Sequence, residues 1–323
     1  MISWGILGTG FMAKMFAEDF TYVRDGKITA VASRTKDKAD KFSNDFNIPE
    51  AYDGYENLVK HSDVDVVYIA TPHSAHYENI KMCLANDKAV VSEKPITVNT
   101  EQLDDVRKEA KSKGLFIMEA MWTYFLPSII QVKQWCDEKR IGYIHFIKAF
   151  FGGHVNSEKS PRLFSPDLAG GALLDLGIYP VAFSQLIMGC QMEKIQSEAI
   201  IDKHHVDVQN ASIIRFKSGA IATLGSSINT SMNNDAYIYG TKGYIFIPDF
   251  FKAQKAYLYS DNGDEVFEDD RTSRGFNFEA DEVNDLLKKG KTESSRMPID
   301  KSLCNLSVLD TIREQIKLTY PFE

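Results

Sequence analysis

The chain has 323 residues, 44% hydrophobic and 25% charged, with 37 basic and 45 acidic side chains and a net charge of −8. That length suits two domains with at least one sizeable core, and the composition excludes a disordered, collagen-like or disulfide-scaffold protein. An acidic balance without a long Lys/Arg block argues against a nucleic-acid partner, whose phosphates need cations to track them.

From residue 1 to about 120, short apolar runs alternate with amphipathic stretches, the pattern of parallel βαβ units. Strands are predicted at 3–7, 28–33, 64–70, 89–92 and 115–118, rich in Val and Ile and hence buried on both faces of a sheet. Helices are predicted at 36–45, 55–60, 75–86 and 101–113, the last opening at Asn99 or Thr100 as N-cap and stopping at Gly114. Near Phe125 to Pro127 the rhythm changes. One helix at 128–138, with Pro127 suited to its first turn, leads into strands at 143–151, 197–201, 210–216, 220–228, 235–240 and 244–247. Tight turns such as Lys217-Ser218-Gly219 and Thr241-Lys242-Gly243 imply antiparallel pairing. A long helix at 173–188 interrupts these strands, helices at 277–289 and 301–318 follow them, and the acidic stretch 261–270 reads as a solvated loop.

The longest apolar runs, VDVVYIA from Val64 and ALLDLGIYPVAF from Ala172, stop well short of twenty residues, so no membrane span is expected. Met1-Ile2-Ser3 runs straight into a strand instead of a charged and then apolar leader, and a cytoplasmic protein is expected. Cys83, Cys136, Cys190 and Cys304 are far apart, outside any zinc-ribbon spacing, and read as reduced thiols in cores with no metal. His73 and His76 form HxxH without a third ligand and read as cofactor-edge and helix-start residues.

The strongest local signal is GILGTGFMA, in which Gly8, Gly10 and Ala13 form GxGxxA between a strand and a helix. Gly8 allows the tight turn and Gly10 lets the backbone approach a pyrophosphate. Ala13 permits close packing, and the helix N-terminus at Phe11 and Met12 offers free N–H groups to the anion. After the second strand, where NAD-binding chains place an acid for the ribose hydroxyls, stands Ser33-Arg34-Thr35. A guanidinium and two hydroxyls suit a 2′-phosphate, so NADP(H) is the preferred cofactor and NAD(H) the alternative, with Asp37 nearby as the acid that would swing the balance.

Further motifs recur in order: Ala70-Thr71-Pro72-His73, Glu93-Lys94-Pro95, LFIMEAMWTYFLP from Leu115, GGALLDLGIYP from Gly170, YGTKGYI from Tyr239 and the closing KLTYPFE. Together they resemble the Gfo/Idh/MocA oxidoreductase family, and within it the dimeric dihydrodiol dehydrogenase and NADP-dependent D-xylose dehydrogenase branch. The fold class is therefore expected to be α/β. An N-terminal Rossmann domain with a parallel sheet (1–121) would precede a C-terminal α+β domain with a large open, mainly antiparallel sheet (122–323). An open sheet face calls for a partner, and the resemblance implies a homodimer through it.

Glu93-Lys94-Pro95 ends a parallel strand at the edge where open α/β sheets hold ligands, and the resemblance makes Lys94 catalytic. Thr71, His73, His76, Glu93 and Lys94 then join Gly8, Gly10, Phe11, Met12, Ser33 and Arg34 around the cofactor. Tyr179 is implied as acid/base; its ordinary pKa near 10 is too high for a base at neutral pH, and a nearby ammonium would lower it. Asp175, four residues earlier and on the same face of an α-helix, is read as orienting a partner or stabilising a helix start. Trp122, Phe151, His154 and Phe276 are candidates for the substrate pocket. Relatives often read WTRF where this chain has Trp122-Thr123-Tyr124-Phe125. The expected activity is NAD(P)-dependent hydride transfer between nicotinamide and an alcohol or carbonyl carbon of a sugar or trans-dihydrodiol-like substrate. The alternative is a non-enzymatic NADP-sensing regulator on the same fold. The Lys94-Pro95 peptide is a candidate for the cis form.

Overall fold

The computed structural model describes residues 1–60 and 63–323, which divide into two compact units. The first comprises Met1–Trp122 with Thr272–Leu303, the second Thr123–Arg271 with Cys304–Glu323.

In the first unit, β1 (Ile2–Leu7), β2 (Gly26–Ser33), β3 (Glu50–Asp53), β4 (Val66–Ile69), β5 (Ala89–Glu93) and β6 (Ile117–Ala120) pair in parallel in the order β3-β2-β1-β4-β5-β6. Every residue of β4 and β5 is buried, as expected for strands covered on both faces. The connecting helices are α1 (Phe11–Asp19), α2 (Lys36–Phe46), α3 (Tyr55–Val59), α4 (His76–Ala85) and α5 (Thr100–Lys113). α5 begins and ends where expected. The Asn99 side chain accepts from the Gln102 N–H, and Gly114 stops the helix at φ +66°. The strand order reverses beside β1, so a crevice opens at the carboxyl ends of β1 and β4. β3 was not expected, because its four residues are half-exposed at the sheet edge and carry no apolar run.

The second unit runs through α6 (Pro127–Asp137), β7 (Ile144–Gly152), a π-helical turn (Leu173–Gly177), α7 (Ile178–Met188), β8 (Met192–Ile201), β9 (Asp207–Phe216) and β10 (Ile221–Ser227). It closes with β11 (Ala236–Gly240), β12 (Gly243–Ile247), β13 (Lys255–Ser260) and β14 (Glu265–Glu268). The sheet order is β14-β13-β12-β11-β7-β10-β9-β8, antiparallel except for the β7/β10 pair. α7 packs on β7 and β10 and α6 on β13 and β14, on the face to which the buried Ile147, Ile238, Ile245 and Leu258 belong. The alternate residues form the other face, a row of stacked rings: Tyr237 on Phe246 at 4.8 Å, Tyr244 on Tyr259 at 4.7 Å and Phe246 on Tyr257 at 5.7 Å.

Several expectations change here. The acidic stretch 261–270 is not wholly loop, since β14 adds an edge strand within it. The long helix at 173–188 opens as a π turn, so Asp175 and Tyr179 do not share a face through α-helical spacing. Residues Pro166–Met188 are long and apolar enough to cross a membrane by length and composition, but 72% of the most apolar window is buried in the protein, as in a core helix. Only two cysteines are buried thiols, Cys83 and Cys136. Cys190 and Cys304 are bonded, their Cα atoms 6.0 Å apart across 114 residues, a pairing that spacing cannot reveal.

The expected division assigned Trp122 and residues 272–303 to the second domain. The structure places both with the first, for reasons of long-range hydrogen bonding. α8 (Phe276–Lys288) starts on Asp19, whose Oδ2 accepts the N–H groups of Gly275 (2.8 Å) and Phe276 (3.0 Å) and whose Oδ1 accepts that of Arg274 (3.0 Å). Asn284 accepts from the Trp4 indole N–H at 2.9 Å and donates to the Arg24 carbonyl at 2.8 Å, and Arg24 pairs with Asp281 at 3.0 Å. α9 (Ile299–Gln315) completes the chain's helices.

Candidate active site

The glycine turn lies at the carboxyl end of β1. Gly8 has φ +103°, and a Cβ there would stand 2.6 Å from the Ala70 carbonyl oxygen, so only glycine lets the ends of β1 and β4 approach. At Gly10 a Cβ would meet nothing within 4 Å, and the backbone faces open space. Gly10 is the N-cap of α1 without a side-chain cap, and the first turn holds no acid. Free N–H groups and a positive helix end are therefore presented to whatever occupies that space. Beside them is a cavity of about 930 Å³ lined by Gly8, Thr9, Gly10, Phe11, Ser33, Arg34, Lys38, Lys41, Tyr55 and Thr71, among others. Phe11 is exposed; Ser33 is buried and exchanges a hydrogen bond with Thr9 (Oγ to Oγ1, 3.2 Å). Asp37 is not among the lining residues, whereas Lys38 and Lys41, one turn apart on α2, are. Sequence reading missed both lysines. Their spacing from Arg34 along a helix was the available signal. The donor set fits an anionic dinucleotide, and the open space over Gly10 is where a diphosphate needs it.

A second cluster gathers at the ends of β4 and β5. The Lys94-Pro95 peptide is cis. His76 is fully buried and clamps two backbone carbonyls, with Nδ1 2.8 Å from the Pro95 oxygen and Nε2 2.9 Å from the Thr71 oxygen. Asn79 donates to the Thr71 hydroxyl at 3.0 Å, and His73 packs its ring 5.7 Å from that of His76. Glu93 is buried, accepting from the Tyr68 hydroxyl and, at 3.2 Å, from the N–H of Lys94, itself buried. Glu119 accepts the Ile96 N–H at 3.0 Å, and burial raises its carboxyl above the usual range. Glu279 on α8 is buried and its carboxyl is pushed well up, first by burial and then by the charge of Glu93. Just beyond β6, Trp122 stacks on Phe276 at 4.5 Å, which brings two expected pocket residues together. Met12 is half-buried on α1 and does not line the cavity.

In the second unit, Tyr179 is buried on α7, its ring edge-on to Phe151 at 5.3 Å and to Phe251 at 5.9 Å, while Phe151 and Phe251 stack at 4.1 Å. Phe251 was not singled out in the sequence. Asp175 sits in the π turn and pairs with Arg162 at 2.9 Å. His154 is exposed and held to the Asn229 carbonyl at 3.0 Å, apart from the aromatic trio. Tyr124, in place of the Arg of WTRF, is buried and donates to the Ala182 carbonyl of α7 at 2.7 Å. That position now supports the helix bearing Tyr179.

Comparison with known proteins agrees with this picture. Residues 2–121 match the family model described as an oxidoreductase family with an NAD-binding Rossmann fold, and residues 129–246 match the Gfo/Idh/MocA C-terminal domain. The chain is 33% identical to the trans-1,2-dihydrobenzene-1,2-diol dehydrogenase of Xenopus tropicalis (98% of this chain, 99% of the relative) and 34% identical to that of Mus musculus (99% and 98%). A 3-ketoreductase from Actinomadura kijaniata, solved with NADP and TDP-benzene, is 25% identical with a TM-score of 0.89 over 98% of each chain. An aldose-aldose oxidoreductase from Caulobacter crescentus shares the fold, with a TM-score of 0.89 at 21% identity over 98% and 97% of the two chains.

Proposed function

The chain belongs to the Gfo/Idh/MocA oxidoreductase family, and from that premise we propose that this NAD(P)-binding oxidoreductase uses NADP(H) to interconvert an alcohol and a carbonyl on a sugar or trans-dihydrodiol, with Tyr179 as acid/base and Lys94 as its cationic partner. The observation that carries the cofactor preference is the cavity over the glycine turn, where Arg34, Lys38 and Lys41 outnumber Asp45 on the wall after β2 and Asp37 takes no part. Cations there attract a 2′-phosphate; an acid would repel it. The NADP in the related ketoreductase structure supports the same choice.

A dinucleotide held by that cavity through its phosphates would supply or accept the hydride at its nicotinamide. The chain's own residues bind and orient. The α1 N-terminus holds the diphosphate, the His76 clamp fixes the cis turn that carries Lys94, and Phe151 and Phe251 confine the Tyr179 ring. Tyr179 exchanges the proton of the substrate oxygen, and the Lys94 ammonium favours its phenolate. Support for the substrate class comes from the names of the relatives, dihydrodiol dehydrogenases and a ketoreductase, which act on CH–OH or C=O groups. The ketoreductase has also been solved with one lysine replaced by alanine or glutamate and one tyrosine by phenylalanine. No observation favours a non-enzymatic regulator. The aromatic outer face of β11 to β13, with Tyr239 and Tyr244 partly exposed, is proposed to pair with the same face of a second copy.

The test is a fluorescence titration with NADPH and NADH at fixed salt, followed by nicotinamide absorbance assays on sugars and trans-dihydrodiols. NADPH is expected to bind about tenfold or more tightly, about 1.4 kcal/mol. Equal or tighter binding of NADH overturns the preference, and no turnover with either substrate group overturns the substrate class.

A further inference from the structure

Two of the motifs that mark the sequence, GGALLDLGIYP and the closing KLTYPFE, meet the start of β9 at one point of the second unit. Asp207 is fully buried at the first position of β9. Its Oδ2 accepts two bonds at 2.8 Å, one from the backbone N–H of Leu173, the first residue of the π turn, and one from the Asn210 side chain. Asn210 also donates to the Ser226 hydroxyl at 2.7 Å, and Ser226 donates to the Ala172 carbonyl at 3.3 Å. From the chain's end, the buried Tyr320 hydroxyl donates to the Gly170 carbonyl at 2.8 Å. Gly171 lies between these ties at φ +112°, where a Cβ would stand 2.2 Å from Asp207 Oδ1. Oδ1 itself has no hydrogen-bond partner.

A buried carboxylate with one orphan oxygen is costly, and nothing in the hydrophobic cluster around it, Leu163, Ala172, Val206, Val208 and Ile228, repays that cost. What the carboxylate does is fix the backbone of residues 170–173 from outside the segment. We propose that Asp207 is a positioning residue for the candidate acid/base, holding the π turn from which α7 and Tyr179 follow. The inference deepens the proposed function and rests on Tyr179 being the acid/base.

The charge of Asp207 matters to this role. Burial pushes its carboxyl up to about 7, against the opposing pull of the Asn210 and Leu173 bonds and the charge of Arg313. Tyr320 faces it, and around Tyr320 stand Glu323, which pairs with Arg313, and Asp175, which pairs with Arg162; before β9, on its own strand's approach, are Asp202, His204 and His205. An ionised Asp207 accepts the Leu173 N–H more strongly than a neutral one. Turnover should therefore step down as pH falls through about 7.

The experiment uses the full chain with Asp207→Ala, Asp207→Asn, Tyr320→Phe and Tyr179→Phe. Each is measured for kcat, KM, NADPH affinity and amide hydrogen exchange over residues 171–179. Asp207→Ala is expected to lower kcat about 10- to 100-fold with NADPH affinity within about twofold, and to speed exchange at 171–179. Asp207→Asn keeps an acceptor for Leu173 but cannot ionise. Its kcat should stay at the parent's low-pH level at every pH, without the step near neutrality. Should Asp207→Ala fail to fold, Asp207→Asn and Tyr320→Phe carry the test, the latter through faster exchange at 171–173. A folded variant at Asp207 with unchanged exchange, or Asp207→Asn with an unchanged pH profile of kcat, overturns the inference. Full activity in Tyr179→Phe would instead overturn the acid/base reading, while the exchange data would still report on Asp207.

Discussion

Two glycines in the same turn should fail in opposite ways when replaced by alanine. At Gly8 the added Cβ falls 2.6 Å from a backbone oxygen of Ala70, which cannot swing aside, and φ +103° is a conformation that L side chains rarely adopt. Strain at positive φ costs on the order of 1–3 kcal/mol and overpacking typically another 1–3. Gly8→Ala should therefore lose about 2–6 kcal/mol, and at about 2–4 °C per kcal/mol its melting temperature should fall by roughly 4–24 °C. At Gly10 the backbone is already in a region open to alanine, φ −83°, and the Cβ meets nothing. Gly10→Ala should melt within about 2–3 °C of the parent, because only a few tenths of a kcal/mol of chain entropy are at stake. Its defect should appear on adding cofactor. A methyl over the α1 N-terminus keeps a diphosphate from its N–H groups, and each charge-assisted bond lost costs about 1.5–3 kcal/mol, so NADPH affinity should drop at least about tenfold. Differential scanning fluorimetry with and without NADPH, paired with a binding titration, separates the two outcomes. If Gly10→Ala bound NADPH as tightly as the parent, the diphosphate would not lie over this turn and the reasoning would be refuted.

Arg34→Asp should weaken NADPH selectively and spare NADH, as read by the two titrations; a parallel loss of both would show that Arg34 does not select the 2′-phosphate. Tyr179→Phe should depress kcat about 10²- to 10⁴-fold with NADPH affinity nearly unchanged, and combining it with Lys94→Ala should be scarcely worse than the poorer single variant. Additive losses in that cycle would mean separate roles. Asp207, raised by burial from 3.8 to about 7, contributes stability that is complete below its unfolded pKa and lost as pH rises through about 7. The difference is on the order of 4 kcal/mol as an upper bound, so Asp207→Asn should gain on the parent in thermal melts as pH rises from about 4 to about 7, and a constant gap would count against it. Tyr244→Glu, on the outer sheet face, should give monomers in sedimentation; an unchanged dimer, or a monomeric parent, would remove that face as the interface.

What could be read from the sequence was what each segment encodes by itself. β4 and β5 are continuous apolar runs, α5 carries its own cap and stop, and the glycine turn is bounded by strand and helix, so each was placed within about two residues. β3 and β14 escaped because edge strands of four half-exposed residues carry no such run. α8 was legible as a helix, but the unit it belongs to was not, since Asp19 and Asn284 act across more than 250 residues. The Cys190–Cys304 bond was hidden for the same reason.

The acids divide in a way that bears on function. Glu93 was noticed because Lys94 and Pro95 follow it; Glu119, Asp207 and Glu279 were not, because a single acid in a sequence is ordinarily a surface residue. All four are buried, and burial pushes up the three that were not singled out. A fold that needed only a core would place apolar side chains there at less cost. Glu119 ties the loop after Pro95 through the Ile96 N–H, and Asp207 ties the turn before Tyr179 through the Leu173 N–H. Glu119 and Asp207 thus each fix a segment that leads to or from a proposed proton-handling residue, whereas Asp19, buried with three backbone bonds, fixes the start of α8; a neutral isostere of Glu119 or Asp207 should disturb turnover more than stability.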